Sequence, residues 1–276
     1  MAVEPQFPLL AELAADSDKA TGPATVPEGQ GGFVFVDGTL HRIRDLTANI
    51  EGHAAFGLSV NEAELAQLCA HVDVAYLGFK GLRTTTIAPL ARMKRLRGLQ
   101  LWWVQKLADL SPLAELPLDA LVLDDLRYCN DIAVLAQMPT LQALTISGGM
   151  NTTQVIDTLE PLTELPDLRE LRLVALKLGD DSLRPLARCK ALTDLWLPNT
   201  LDVSEFAYLA AMRPDIRANA LSAYQVMGHK IGGKDVMVTG RRRPFLNSKT
   251  DGEKMNTYQT RVDALVNRFR KEAAGG

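Results

Sequence analysis

The sequence predicts an α/β solenoid: a curved parallel sheet with short helical or 3-10 return segments, closed at both ends by structure that does not repeat. Three observations predict it. An apolar-x-x-apolar-x-apolar string recurs six times. A second apolar string at spacing three follows each copy in phase. Prolines recur at one place in that second string.

The first string reads Val74/Leu77/Phe79, Leu96/Leu99/Leu101, Leu118/Leu121/Leu123, Leu141/Leu144/Ile146, Leu168/Leu171/Leu173 and Leu192/Leu195/Leu197. Its start positions step by 22, 22, 23, 27 and 24 residues. A weaker seventh copy begins at Ile216, where Pro214-Asp215-Ile216-Arg217 echoes Pro166-Asp167-Leu168-Arg169. The second string reads Ile87/Leu90/Met93, Leu110/Leu113/Leu116, Ile132/Leu135/Met138, Leu159/Leu162/Leu165, Leu183/Leu186/Cys189 and Phe206/Leu209/Met212. Pro89, Pro112, Pro161 and Pro185 each precede its middle residue. Proline fixes φ and suits the first turn of a short helix. Each unit is therefore a strand, a turn and a short helical or 3-10 return. One such unit cannot enclose its own leucines, whereas stacked copies bury them in a single column.

These paired strings, with their apolar-x-Pro-Leu-x-x-Leu return, resemble the leucine-rich repeat family, and within it the short-period, internalin-like bacterial type. The resemblance covers about residues 73 to 221. It implies a leucine-rich repeat solenoid that binds a macromolecular partner and carries out no chemistry of its own. One column departs from the family. Where Asn or Cys usually ties down turn carbonyls, this chain has Leu82, Val104, Leu126, Gly149, Leu176 and Thr200. Its turns must satisfy their carbonyls in another way.

Solenoid ends expose leucines and need caps. Phe33-Val34-Phe35-Val36, Asp37-Gly38 and Thr39-Leu40-His41-Arg42-Ile43 read as a hairpin with a two-residue turn. Asn61 reads as a helix N-cap with Glu64 as capping-box partner and Val60/Leu65 as staple. Residues 7 to 15 read as a small helix. Residues 16 to 32, rich in Gly, Pro, Thr and acids, read as a linker. At the other end, residues 235 to 239 read as a strand and residues 252 to 273 as a helix with a Met255, Tyr258, Val262, Leu265, Phe269 stripe. The expected organisation is thus an N-terminal segment (1–32), an N-terminal cap (33–72), the repeats (73–221) and a basic C-terminal cap (222–276).

The 276 residues are 47% hydrophobic, enough for a sizeable core. No run of about 18 apolar residues exists to span a membrane. The start of the chain lacks a basic segment followed by an apolar one, and the three cysteines are far apart. The expectation is a reduced, cytoplasmic, monomeric protein, plausibly bacterial. Asn151-Thr152-Thr153 matches a glycosylation acceptor, which without a secretion signal reads as chance. The net charge of −3 is uneven: residues 221 to 276 carry 11 basic and 5 acidic side chains, leaving 19 against 28 in the rest. A basic tail on an acidic body suggests either an external acidic partner or a tail that folds back.

Catalytic and cofactor signals are weak. Gly228 to Asp235 nearly fits a phosphate-binding loop, but ends in Asp where a hydroxyl is needed and precedes a β-rich run; it reads as a turn before a strand. His41, His53, His71 and His229 have no ligand spacing, and no metal or cofactor is expected. Cys189 shares its column with Met93, Leu116, Met138, Leu165 and Met212 and reads as core. Cys69 falls on the capping helix and Cys129 in a turn. Arg241, Arg242 and Arg243 could contact an anionic partner.

Function is therefore sought on the concave face, where strand alternation puts the third, fifth and seventh positions. Tyr76, Lys80, Gln100, Trp102, Asp124, Thr145, Ser147, Glu170, Arg172, Asp194 and Trp196 are its candidate partner-binding residues. Trp102 and Trp196 lie four strands apart, about 19 Å at the usual spacing, so they could anchor two ends of one partner. Gly98, Ala120, Ala143, Thr145 and Ser147 make a shallow groove between them that could take a helix or loop. Either an external protein or the chain's own basic C-terminal segment fills that groove. Two other readings stay open: a nucleic-acid-associated protein using the basic C-terminal segment, and an enzyme with an unrecognised site there.

Overall fold

Alternation along each repeat strand sets the architecture. The fourth- and sixth-position side chains turn inward, and equivalent strands stack in register. The computed structural model describes residues 6–21 (backbone only from 16), 32–104, 106–149 and 152–275. Ten of its strands form one sheet. β1 (Phe33–Val36) and β2 (Thr39–Arg42) are a hairpin. β3 (Ala54–Leu58), β4 (Tyr76–Lys80), β5 (Gly98–Trp102), β6 (Ala120–Asp124), β7 (Ala143–Ser147), β8 (Glu170–Val174), β9 (Asp194–Trp196) and β10 (Arg217–Ala218) follow in chain order. Across the sheet they run β10-β9-β8-β7-β6-β5-β4-β3-β1-β2, all parallel from β3 to β10. β1 runs antiparallel to both its neighbours, β2 and β3.

Leu77, Leu99, Leu121, Leu144, Leu171 and Leu195 form one row of strand partners and are fully buried. Removing one such side chain costs about 2–5 kcal/mol. Five returns are 3-10 turns: Ala88–Arg92, Ser111–Glu115, Ala133–Gln137, Glu160–Glu164 and Arg184–Arg188. Four of them carry the expected proline in their first two positions. All the middle leucines of the second string are buried, and so is Cys189. This is a leucine-rich repeat solenoid, established by its register and its buried columns.

The turns close through the main chain. The N–H at the eighth position donates to the seventh-position carbonyl of the next coil: Ser59 to Lys80 (2.9 Å), Gly81 to Trp102 (2.8 Å), Trp103 to Asp124 (3.1 Å), Asp125 to Ser147 (2.9 Å) and Gly148 to Val174 (3.0 Å). The eighth residue is left-handed at Ser59, Gly81, Trp103, Asp125 and Ala175, which costs a non-glycine residue roughly 1–2 kcal/mol. Holding that conformation extends the ladder by one bond per coil and sends Leu82, Val104, Leu126 and Leu176 into the core. An asparagine column is therefore not needed.

The sheet also starts one strand earlier than the repeat strings indicate. β3 pairs with β4 in full repeat register, Ala54 with Tyr76 through Leu58 with Lys80. Its fourth and sixth positions are Ala55 and Gly57. A Cβ on Gly57 would sit 2.7 Å from the Phe79 ring. The large Phe79 occupies the space where a leucine would stand, so this coil has no leucine signature.

The first and last coils return through full helices, α2 (Glu62–His71) and α3 (Val203–Met212). Asn61 caps α2 as expected: its Oδ1 accepts from Glu64 N (3.0 Å), and Glu64 Oε2 accepts from Asn61 N (2.9 Å). Beyond the solenoid, β11 (Tyr224–Ile231), β12 (Lys234–Val238) and β13 (Phe245–Leu246) form a small antiparallel sheet. The glycine-rich segment is its hairpin, with Gly232 and Gly233 at φ 58° and 80°. It presents no helix N-terminus, in keeping with a turn before a strand. The last helix, α4 (Gly252–Ala274), uses its stripe twice. Met255 and Tyr258 pack on Val236, Val238 and Leu246, while Leu265 and Phe269 pack on Ala207, Tyr208 and Ala211 of α3. The Asn151 acceptor, and most of the expected linker, lie outside the described residues.

Candidate binding surface

The concave face is occupied, and by the opposite end of the chain from the one considered above. The C-terminal helix lies on α3. The N-terminal helix, α1 (Pro8–Thr21), runs across the concave side over β7, β6, β5, β4 and β3. It is longer than expected, since residues 16 to 21 continue the helix instead of starting the linker. At about 1.5 Å per residue its 14 residues reach roughly 21 Å, about four strand spacings.

Its sequence explains its seat. Pro8 suits a first turn, and Leu10 and Leu13 fall on one face. Both are buried against Ala120 and Ala143, with Phe7, Leu9, Tyr76 and Val122 packed around them. Gly98 allows the closest approach: a Cβ there would lie 2.8 Å from Leu13 Cδ1 and 2.5 Å from Tyr76 Cδ1. Of the small residues expected to make a groove, Gly98, Ala120 and Ala143 lie beneath α1, whereas Thr145 and Ser147 stand outside it.

The N-terminus of α1 is held by charge. Its first-turn N–H groups have no partners within the helix, and Phe7 has no side-chain oxygen to cap them. Glu170 does so from 160 residues away. Its Oε1 accepts from Leu9 N (2.9 Å) and its Oε2 from Leu10 N (3.1 Å). Asp194 accepts from Gln6 N at 2.7 Å and is ion-paired with Arg217. Carboxylates here meet the positive end of the helix dipole. Burial pushes Glu170 above the usual carboxylate range, partly offset by the two N–H bonds and reinforced by nearby Asp194. Burial also acts on Asp194, but Arg217, the Gln6 N–H and the Thr193 hydroxyl outweigh it and hold that carboxyl low. Arg172 lies 5.4 Å from the centre of the Phe7 ring, and its buried Nε has no hydrogen-bond partner among the described residues.

The other candidate residues fall into two groups. Tyr76, Glu170, Arg172 and Asp194 are engaged by α1 or by the residues preceding it. Lys80, Trp102, Asp124 and Ser147 form a separate patch at the C-terminal ends of the strands. There the Lys80 ammonium sits 4.9 Å from the Trp102 ring centre and 5.1 Å from that of Trp103. Ser147 donates its hydroxyl proton to Asp124, whose carboxyl burial nevertheless pushes up. Gln100 and Thr145 are half-buried between the groups. Trp196 is exposed, with 38% of its surface accessible, at the far end of the face. Sequence reasoning missed Trp103 and Tyr128, both exposed. They sit in the turns rather than on strand positions, and the Trp102-Trp103 doublet was the available signal.

The three arginines are not a uniform patch. Arg241 pairs with Asp181 and donates from Nε to Thr200 O (2.7 Å), while Arg243 lies over Tyr258 at 6.0 Å. Arg242 is exposed. The basic segment thus folds back on the acidic body at this point. A cleft of about 630 Å3 opens between the last coil and α4. Two of its cations are already engaged, Arg213 with Asp215 and Arg217 with Asp194. Burial pushes the Cys69 thiol up to about 12 and those of Cys129 and Cys189 to about 11, the opposite of what a nucleophile needs. Among the described residues no helix is long and apolar enough to cross a membrane.

No protein-family model matches the chain, and no curated protein does. Solved structures do match. An internalin (inlF) from Listeria monocytogenes is 20% identical over 75% of this chain, with a TM-score of 0.42; the chain spans about half of it, 54%. An internalin C2 (inlC2) from the same species is 19% identical over 80% of this chain and 90% of its own length, with a TM-score of 0.46.

Proposed function

We propose that this protein is a protein-interaction module that binds a macromolecular partner on the concave side of its solenoid, in a regulatory, immunity or effector role, and carries out no chemistry of its own. The seating of α1 supports this. Gly98, Ala120, Ala143, Glu170 and Asp194 face away from the leucine column, and together they grip a polypeptide segment. Beside α1, Lys80, Trp102 and Asp124, the last held by the buried Ser147, form with Trp196 at the far end the surface offered to a partner. Exposed tryptophans are common carriers of interface energy. The three unpaired, buried thiols suit a reducing, cytoplasmic setting. A nucleic-acid role would rest on Arg242 and the outer cations of α4, since Arg241 and Arg243 are engaged within the chain.

The test is affinity capture from the native cell with the wild-type chain and a Trp102→Ala/Trp196→Ala variant. The expected result is a specific protein recovered with the first and lost with the second at unchanged thermal stability. Equal recovery would overturn the assignment of this surface. Salt-sensitive retention on RNA, lost when Arg242, Arg268, Arg270 and Lys271 are neutralised, would point to the nucleic-acid role instead.

A further inference from the structure

We propose that the groove is a receptor for one amphipathic helix of a partner protein, entering with its N-terminus at Glu170, and that α1 holds the site in cis until such a helix replaces it. This rests on the reading of the concave side as a binding surface and specifies what it binds.

Direction is built into the groove. The in-register row Gly98, Ala120, Ala143, Glu170, Asp194 is small at one end and acidic at the other. The small end lets apolar side chains sit close to the sheet. The acidic end accepts the unpartnered N–H groups of a helix start and repels a helix C-terminus. A helix entering backwards would place its free carbonyls against two carboxylates.

α1 fits this site without belonging to the core. Its buried residues form a cluster separate from the leucine column, which closes without them. Ala11, Glu12, Ala14 and Ala15, on its outer side, are exposed. It is joined to the solenoid through the 11 residues between Thr21 and Phe33. Because α1 and the groove belong to one chain, their contact is intramolecular, and a weak cis contact suffices to fill the groove.

α1 is also an imperfect occupant. Among the described residues the buried Arg172 Nε has no acceptor, and its guanidinium lies over the Phe7 ring; an unsatisfied buried donor carries a desolvation cost. A partner helix with a side-chain oxygen in place of Phe7 would satisfy it, while Glu170 keeps the first-turn N–H groups. A neutral amide suits best, because a carboxylate would add to Glu170 and Asp194. The partner motif is therefore Asn or Gln at the helix start, followed by apolar residues at the third and sixth positions beyond it, as Leu10 and Leu13 follow Phe7.

The test uses the full chain with a protease site placed between residues 22 and 31, cut after folding, and a fluorescent synthetic peptide of residues 1 to 21. The cut chain is expected to co-elute with its own 1–21 fragment and to exchange it for the labelled peptide. Uncut chain should bind the peptide at least about tenfold more weakly. A Phe7→Asn peptide should bind about fivefold more tightly, and a Leu10→Asp/Leu13→Asp peptide should not bind. Glu170→Gln in the cut chain should weaken binding about tenfold. If cutting destabilises the protein, an uncut Leu10→Asp/Leu13→Asp chain, whose own α1 cannot dock, serves in its place. Absence of exchange, equal binding by cut and uncut chains, or binding of the aspartate peptide would overturn the receptor site. Weaker binding of the Phe7→Asn peptide would overturn the partner motif. Should the peptide fail while the Trp102→Ala/Trp196→Ala chain still loses its partner, the concave side binds protein by other means.

Discussion

α1 and α4 are both amphipathic helices outside the repeat, yet they meet the solenoid in different ways. α4 lies along α3, with Phe269 edge-on to Tyr208 at 5.4 Å and 85°, and its far end covers the small C-terminal sheet. α1 lies on the sheet itself, with two leucines over Gly and Ala and its first turn capped by a distant carboxylate. The surfaces beneath them account for the contrast. Most coils return through five-residue 3-10 turns, too short for a helix to pack along. The last coil returns through the ten-residue α3, which offers α4 a full partner. The groove offers no ridges, only close approach and charge. α4 therefore packs side by side with the return helix of the last coil, while α1 covers a sheet face whose core is already closed.

That difference orders the effects of mutation. Phe269→Ala should cost about 3 kcal/mol of global stability, read from urea unfolding, because it empties the packed seam between α3 and α4. An unchanged midpoint would make α4 as peripheral as α1. Leu13→Ala should cost α1 docking about 2 kcal/mol but leave the main unfolding transition in place. Its signature is faster amide exchange in residues 9 to 15 alone, and a matching fall in the unfolding midpoint would place α1 in the core. Glu170→Gln keeps the shape but loses the charge and one of the two acceptor oxygens that Leu9 N and Leu10 N use, and should cost docking about 1–2 kcal/mol.

The smallest effect is on pH dependence, and the two carboxylates oppose one another. Asp194 is held below its ordinary value of 3.8 in the folded protein, so its stabilisation is complete above that pH and is lost as pH falls through the depressed value. Glu170 is raised above its ordinary value of 4.5, so the folded state takes up its proton more readily, and its ionisation costs stability as pH rises through the raised value. Asp194→Asn should flatten the loss below pH 3.8, and Glu170→Gln should remove the opposing slope above 4.5. Unfolding curves across that range would show either change; identical curves would contradict both assignments.

Much of this molecule is legible in its sequence, because leucine columns and return prolines repeat the same physical demand six times. The Asn61/Glu64 cap and the α4 stripe are local signals and were readable for the same reason. β3 was hidden because Phe79 fills the space its leucines would use, leaving Ala55 and Gly57 as the only trace. Glu170 and Asp194 could be placed on the concave face from strand alternation. Their partner could not be named, since nothing in the spacing of Phe7, Leu10 and Leu13 says which surface they cover. Small residues announced a groove, and the match between its acidic end and an uncapped helix start appears only in three dimensions.

The most direct test of the helix-holding groove is amide hydrogen exchange on the full chain, comparing residues 9 to 15 in wild type and in Glu170→Ala. In the wild type these amides should exchange at least about tenfold more slowly than in the isolated 1–21 peptide. In the variant they should approach the peptide rate, while residues 252 to 274 stay protected. Peptide-like exchange of α1 in the wild type, or unchanged protection in the variant, would contradict a groove that holds a helix through Glu170.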